Sequence, residues 1–489
     1  MKKELDSCDI FFTLAVKESI MHFSLKQRLS LLPPACGIPV GLLLALLVGW
    51  LPLAGLTPAG QKTLALFIFI FILFLTEALP LAVTSLLVVP LAALLHLAPL
   101  KELLQPFASP LVFLLLGGFI LAAAILQSGL AKRLTFLVLV RIGATARRIT
   151  LGIVLANVLL AFLIPSTTAR AAILLPPCLS IIELFRDRPC RKFAANLLLT
   201  LSTTCSTISA GILTGTVSNP VINEFLTRQG LPAFSYLEWL KLGFFPSLLL
   251  TLGSWALIQK YYPPESSQIP GGQQYLLQEL EKMGPMDRRQ KKVLLVFLLA
   301  IFFWMTGEFF QIDATVTCLA GALLLLLPGV DGLSWKEASS HINYDILLIA
   351  GGGISLGNLL MENGTAAWLA NRAFSCFSLQ EASPLLFLAV ILLLCQFLHF
   401  IFVGTTTMAT ILIPVVLALS LRAGFPAGLA ALEACMIISG GPVLMFYCTT
   451  PGILVHGTGK LPADAFLRTG IPISFLACLI YFLWGLWIL

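Results

Sequence analysis

The chain has 489 residues, of which 58% are hydrophobic and only 11% charged. A soluble domain carries about 25% charged residues, so most of this surface is built for lipid, which excludes a cytosolic enzyme, a disordered scaffold and a secreted disulfide domain. The net charge of +7 comes with no basic face interleaved with aromatics, which argues against nucleic acid, and the eleven cysteines contain no Cys-x-x-Cys pair and read as small packing residues.

In chain order, residues 1–35 carry Lys2, Lys3, Lys17, Lys26 and Arg28 around one short apolar patch, Ile10–Val16. Lys17 and Glu18 stand where a cleavage site needs small residues, so this reads as a retained cytoplasmic tail. A spanning helix needs about 20 apolar residues. Segments 36–55, 62–78, 79–98, 109–129, 193–225, 241–259, 292–311, 313–329, 344–362, 427–455 and 465–487 meet that need, and they predict an all-α polytopic protein with eleven crossings. Two of these, 193–225 and 427–455, are interrupted.

Segments 150–183 and 386–421 differ. Each is divided by a small polar cluster, Pro165-Ser-Thr-Thr-Ala-Arg170 in one and Gly404-Thr-Thr-Thr407 in the other. The arms are short, and the pattern predicts two re-entrant hairpins. Irregular backbone at membrane depth survives only inside protein or beside a water-filled cavity, so each interruption points to function. Basic residues cluster at 132–148, 186–192 and 260–292. That asymmetry predicts the N-terminus in the cytoplasm and the C-terminus outside.

The linker 261–291 separates halves that resemble each other. Phe113-Leu-Leu-Leu-Gly-Gly-Phe119 and Leu348-Ile-Ala-Gly-Gly-Gly-Ile354 are followed, at the same spacing, by Gly129 and Gly364. Ser166-Thr-Thr-Ala-Arg-Ala-Ala-Ile-Leu-Leu-Pro176 lines up with Gly404-Thr-Thr-Thr-Met-Ala-Thr-Ile-Leu-Ile-Pro414, and Thr216-Val-Ser-Asn219 answers Thr449-Thr-Pro-Gly452. Residues 36–61 are then an extra first helix, 62–260 the first repeat and 292–489 the second. Each repeat makes an odd number of crossings, so the second is inverted, the architecture of secondary transporters whose sites lie between the repeats at the midplane.

A helix starting at mid-membrane presents free N–H groups with partial positive charge. Joined by hydroxyls, such starts suit carboxylate or sulfate oxygens. The candidate anion ligands are Ser166, Thr167, Thr168, Arg170, Thr216, Ser218, Asn219, Thr405, Thr406, Thr407, Thr449 and Thr450. Arg170 is the sharpest of them, because an arginine at membrane depth costs about 2.5–3.5 kcal/mol on insertion scales and must face a cavity or a partner. Glu77, Glu183, Glu224 and Asp345 read as interfacial or paired groups, and His399, just before the second tip, as a weaker candidate. Gly353-Ile-Ser-Leu-Gly357 mimics a hydrolase nucleophile turn but lacks its strand–helix context and reads as helix packing. Asn363-Gly-Thr365 is a glycosylation sequon on the outer side, relevant only in a eukaryote.

From about residue 36 onward the chain resembles the divalent anion:sodium symporter family of di- and tricarboxylate and sulfate transporters. The likeness rests on Thr76-Glu-Ala-Leu-Pro80, the Leu-Gly-Gly-Phe run at 116–119, both tips with their trailing Pro176 and Pro414, and Thr449-Thr-Pro-Gly-Ile-Leu-Val-His-Gly-Thr-Gly459. It implies a homodimer whose transport domain moves against a scaffold as an elevator, in a bacterial inner membrane. Family symporters carry Ser-Asn-Thr at both tips to hold sodium and substrate, and this chain lacks the asparagine twice. The resemblance implies a sodium position near Ser166 and Gly215. It also extends to the family's sodium-free exchangers, which place a cationic side chain where sodium would sit; Arg170 fits that role, whereas Met408 stands where a histidine is expected.

The expected function is secondary transport of small di- or tricarboxylates by exchange, with Arg170 in place of a sodium ion and no cofactor. A sodium-coupled dicarboxylate or sulfate symporter is the alternative within the class. A membrane-embedded transferase or a passive anion channel is the alternative outside it, and no His, Asp or Cys cluster supports the former.

Overall fold

A computed structural model describes residues 36–186, 189–330, 332–377, 383–402 and 404–489. The expected tail at 1–35 lies outside the described residues. The regular structure of these residues is all helical, apart from one isolated bridge between Thr145 and Gln268. Nine of the described helical segments are long and apolar enough to cross a membrane, and the protein is a polytopic membrane protein.

The first helices are α1 (Gly37–Trp50), α2 (Pro58–Thr76), α3 (Leu81–Leu94) and α4 (Pro110–Gln127). Then come α5 (Leu130–Ile142), the hairpin arms α6 (Ala146–Leu163) and α7 (Thr167–Glu183), and a broken helix formed by α8 (Arg191–Thr207) and α9 (Ser218–Arg228). Helix α10 (Tyr236–Tyr261) closes this half, and α11 (Gly272–Lys282) lies in the linker. The second half runs α12 (Arg288–Phe310), α13 (Ala314–Leu326), α14 (Tyr344–Glu362), α15 (Thr365–Phe377), hairpin arms α16 (Pro384–Leu398) and α17 (Thr405–Ala423), a broken helix α18 (Ala427–Gly440) and α19 (Thr450–His456), and α20 (Ala463–Ile488). The order from α4 to α10 therefore recurs from α14 to α20.

Helices α5 and α15 are among the elements not expected from the sequence. They follow Gly129 and Gly364, whose φ values of +69° and +75° turn the chain sharply after a spanning helix. Only glycine takes that left-handed conformation without strain. The linker is also more than a tether. Glu265 accepts the N–H groups of Lys192 and Phe193 at 2.6 and 2.9 Å, which caps α8, and Ser267 accepts from Ala146 at the start of α6. Arg133 of α5 grips its far end through Gln290 and the carbonyls of Gly284 and Met283, at 2.7–2.8 Å.

The packing is reciprocal between the halves: α4 lies on α13, and α14 on α3. Helix α9 packs on α17 and α18, while α19 packs on α7 and α8. Glycines permit the closest approaches. Gly353 and Gly357 of α14 face Thr410, Phe225 and Pro414, where an added Cβ would sit 2.6–2.9 Å from them, so the Gly-x-Ser-x-Gly run is a packing surface. The sequon residues are likewise structural, with Asn363 donating to Thr63 Oγ1 and Thr365 to the Gly60 carbonyl, both at 2.9 Å. The nine described cysteines are free thiols, six of them buried.

Candidate anion site at two hairpin tips and two helix breaks

Depth comes first. Gly118, at the middle of α4, is the residue that Pro165 of the first tip touches; a Cβ there would lie 3.0 Å from the proline ring. Gly353, at the middle of α14, faces Thr410, five residues beyond the start of α17. The first hairpin's tip therefore meets the centre of α4, and the second hairpin meets the centre of α14 about a turn and a half past its tip. Their longer arms, α6 and α17, have 18 and 19 residues, enough by length alone to cross. It is the seating of the hairpins against the centres of α4 and α14 that makes them return.

The first tip starts α7. Ser166 adopts an extended conformation, and its Oγ accepts from the Ala169 N–H at 3.2 Å, so its hydroxyl oxygen is engaged as a helix cap. Thr167 and Thr168 are half-buried beside it. At the second tip Gly404 has φ +94° and caps nothing, leaving the first N–H groups of α17 unengaged by any side chain. Thr405 and Thr406 are half-buried there, and Thr407 is buried.

Between α8 and α9 the chain leaves helical geometry after a run of serines and threonines, and Gly211 meets the backbone of α10 at Gly243–Phe244. Asn219 holds this break in shape. Its Nδ2 donates to the carbonyls of Ser209 (2.8 Å), Ala210 (3.3 Å) and Ile212 (2.8 Å), and its Oδ1 accepts from Ser439 Oγ at 2.7 Å across the half-to-half boundary. Asn219 thus has no amide hydrogen left for a ligand, and Ser218 beside it is fully buried. In the second break Gly440-Gly441-Pro442 ends α18, since proline cannot continue a helix. Thr449 caps α19 by accepting from Gly452 N at 3.3 Å, and Thr450 is exposed.

Arg170 lies one turn inside α7 and is fully buried. Its Nη2 donates to the Cys205 carbonyl at 3.1 Å, the Gly215 carbonyl at 3.3 Å and Ser209 Oγ, all in the first break. Its Nε and Nη1 have no hydrogen-bond partner among the described residues. At the expected sodium position the Gly215 carbonyl faces the guanidinium and the Ser166 hydroxyl caps its own helix. A second cation beside the guanidinium would be repelled. Thr216, nearly buried, joins Pro165, Gly118, Phe297 and Trp304 around a small cavity of about 20 Å³, which brings the first tip and first break together against α4 and α12.

The second half answers differently. Met408, at the place of Arg170, is a buried apolar side chain. His399, the last residue before the second tip's turn, is 2% exposed and lies 3.2 Å through Nε2 from the Ile438 carbonyl. One turn earlier, Gln396 donates to the Gly441 carbonyl at 3.0 Å and to Ser474 Oγ at 2.9 Å. Sequence reasoning missed Glu433 altogether. It is fully buried at the centre of α18, facing Gly485 of α20, with neither carboxyl oxygen hydrogen-bonded among the described residues. One acidic residue in an otherwise apolar helix was the available signal.

Residues 38–489 match the family model for the sodium:sulfate symporter transmembrane region. The chain is similar to the sodium-dependent dicarboxylate transporters SdcS of Staphylococcus saprophyticus, at 29% identity over 87% of this chain and 85% of that protein, and of Staphylococcus aureus (strain NCTC 8325), at 28% over 92% and 91%. Among solved structures it is similar to the YdaH transporter of Alcanivorax borkumensis, described as having an unusual topology, with TM-score 0.56 and 14% identity over 87% of this chain and 98% of that one.

Proposed function

The chain belongs to the divalent anion:sodium symporter family, and from that premise we propose that it is a secondary transporter exchanging small dianions, dicarboxylates or sulfate, without sodium. It is a transporter and not an enzyme. The observation that carries the exchange reading is Arg170: a fixed positive charge at mid-depth, with two donor nitrogens unspent and its third on the oxygens that a bound cation would use. The relatives named for sodium-dependent dicarboxylate transport support the substrate class. A permanently charged site binds its dianion in either orientation but disfavours crossing the membrane empty, because the uncompensated guanidinium then crosses alone. Return loaded with a second anion is exchange.

In this reading 62–260 and 292–489 are inverted repeats after an extra helix at 36–61, with 1–35 and the linker 261–291 on the cytoplasmic side and the C-terminus outside a bacterial inner membrane. The hairpins, broken helices, α10 and α20 move as one body against α2–α4 and α12–α14, in a homodimer. Ser166, Thr167, Thr168, Thr405, Thr406, Thr216 and Thr449 contribute hydroxyls or helix-start N–H groups to the anion, Arg170 contributes charge, and Asn219 and Ser218 keep the first break in shape. Thr407, buried, and Thr450, exposed, flank this set. The test is uptake of labelled succinate and sulfate into proteoliposomes, with and without internal dicarboxylate and with and without sodium. Uptake that needs internal anion and ignores sodium is expected; uptake that needs sodium and no counter-anion refutes exchange.

A further inference from the structure

Helix α10 runs from the loop after α9 to the linker, and α12 runs back from the linker to the level of that loop. The loop therefore lies on the face opposite the linker, and residues of three other elements hold it there. Within itself the loop is stiff: Asn223 Nδ2 donates to the Phe234 carbonyl at 2.8 Å, and Asn223 Oδ1 accepts from the Phe234 N–H at 2.9 Å. At one end Arg228, the last residue of α9, donates from Nη1 to Glu362 Oε1 at 3.1 Å and from Nη2 to Gln105 Oε1 at 3.2 Å. Gln229 Nε2 donates to Met361 Sδ at 3.2 Å. Glu362 closes α14, and Gln105 precedes α4. At the other end Ser235, the N-cap of α10, accepts from the Glu238 N–H and donates its own hydroxyl hydrogen to Glu308 Oε1 of α12. One residue on, the buried Tyr236 ring stacks on buried Trp304 of α12, with centroids 5.3 Å apart and planes 17° from parallel.

The bonds that shape this loop from within involve main-chain groups: the Asn223 clasp and the cap of α10. The loop is thereby fixed to α9 and α10. The bonds that join it to Gln105, α12 and α14 run from side chain to side chain, so they can part without unfolding anything. Charge placement points the same way. Glu362 ends its own helix, where the partial negative charge of the helix terminus disfavours a carboxylate, and Arg228 across the gap offsets it. Glu308 stands in the last turn of α12 and faces the N-terminal end of α10, whose partial charge is positive. Each acid is badly placed for its own helix and well placed for the opposite body.

We propose that these contacts form an access latch: Arg228–Glu362, Ser235–Glu308 and the Tyr236–Trp304 stack hold the moving body in one of its two positions, and crossing begins when they part. This rests on the body motion proposed above and names its resting contact. Arg228 and Glu362 are positioning residues, since Arg228 stands the length of α9, ~15 Å, from the first break. The pair is partly open to water, with side chains 24% and 50% exposed, and such a pair shifts an equilibrium by about fivefold at most. That suits a contact made and broken in every cycle; a buried pair would hold the body in place.

The test uses the full chain, with hydrogen exchange over 228–236 measured in nanodiscs and homoexchange of labelled succinate and of labelled sulfate measured in proteoliposomes. Arg228→Glu and Glu362→Arg, each placing like charges together, are expected to speed amide exchange in that loop. They are also expected to raise maximal turnover about two- to fivefold with an unchanged thermal midpoint, because the resting position is destabilised and the step out of it quickens. The double swap Arg228→Glu with Glu362→Arg restores opposite charges and is expected to return both readouts toward wild type. Glu308→Gln keeps the shape but removes the charge facing α10, and is expected to act in the same direction as the single reversals. Single variants with wild-type loop protection and turnover, slower turnover in them, or a double swap whose effects simply add, overturn the latch while leaving the carrier reading intact. No homoexchange of either anion by the wild type sinks the carrier reading, and the latch with it.

Discussion

Replacing Arg170 by methionine makes the first break chemically like the second, and the structure sets the size of the effect. Arg170 lies one turn into α7, so a dianion at the first tip is taken at ~8 Å from its guanidinium, one turn of rise plus side-chain reach. At an effective dielectric of about 20, two unit charges at that distance attract by about 2 kcal/mol, so a dianion gains about 4 kcal/mol. Removing the charge therefore weakens dianion binding about a thousandfold. The same change leaves the Gly215 carbonyl without the guanidinium, a cost of about 1–3 kcal/mol for a buried acceptor left unpaired, whereas the Cys205 carbonyl keeps the Ser209 hydroxyl. Folding is thus tested separately, by size-exclusion profile and thermal midpoint. Arg170→Lys keeps the charge but lacks the guanidinium's five donors in a rigid fork, so it should bind tighter than the methionine variant and weaker than the wild type. The assay is homoexchange of labelled succinate in proteoliposomes over a wide substrate range. An Arg170→Met protein that is monodisperse and exchanges succinate with unchanged KM refutes the electrostatic role.

Further outcomes follow from other contacts. Asn219→Ala removes four hydrogen bonds that hold the first break to α18, although each carbonyl keeps one other donor, and is expected to cost about 2–4 kcal/mol of stability at roughly 0.5–1.5 kcal/mol a bond, read as a lower thermal midpoint that bound substrate only partly restores. Gly118→Leu drives a side chain into Pro165 at the first tip, so it should abolish exchange while α4 still inserts, as judged by surface expression. Arg133→Ala releases the far end of the linker, and hydrogen exchange over 272–290 should speed up with little change in α8. The Lys282 ammonium, helped by Lys132, holds the Glu279 carboxyl below the usual range. The stabilisation from these pairs is therefore present at neutral pH and lost only as pH falls through that lowered value, so α11 protection should stay flat from pH 8 to 5 and drop below about pH 4.

The long apolar runs announced the spanning helices because length and hydropathy alone decide whether a segment suits lipid. The hairpins were legible for a related reason: Pro165-Ser-Thr-Thr and Gly404-Thr-Thr-Thr put polar, helix-starting residues where continuous apolar sequence was due. Helices α5 and α15 were hidden because their mixed faces fall short of a spanning pattern, although Gly129 and Gly364 marked the turns that start them. Arg170 stood out by cost. What the sequence could not convey was how each polar side chain divides its hydrogen bonds. Asn219 looks like a ligand in a linear motif, yet four neighbours within 3.3 Å consume it. His399 looks like an isolated residue until the Ile438 carbonyl is folded against it.

The two breaks raise one electrostatic problem and meet it in different ways. Interrupting a helix at mid-depth leaves carbonyls at the end of its first half with partial negative charge and no intrahelical donor. Something positive or hydrogen-bonding must face them, and water is scarce there. Break one is served by Asn219 and by a charge that no accessible pH removes. Break two is served by Gln396 and by the His399 imidazole. The same demand for positive or hydrogen-bonding partners is thus met by a charge in the first break and by hydrogen-bonding side chains in the second.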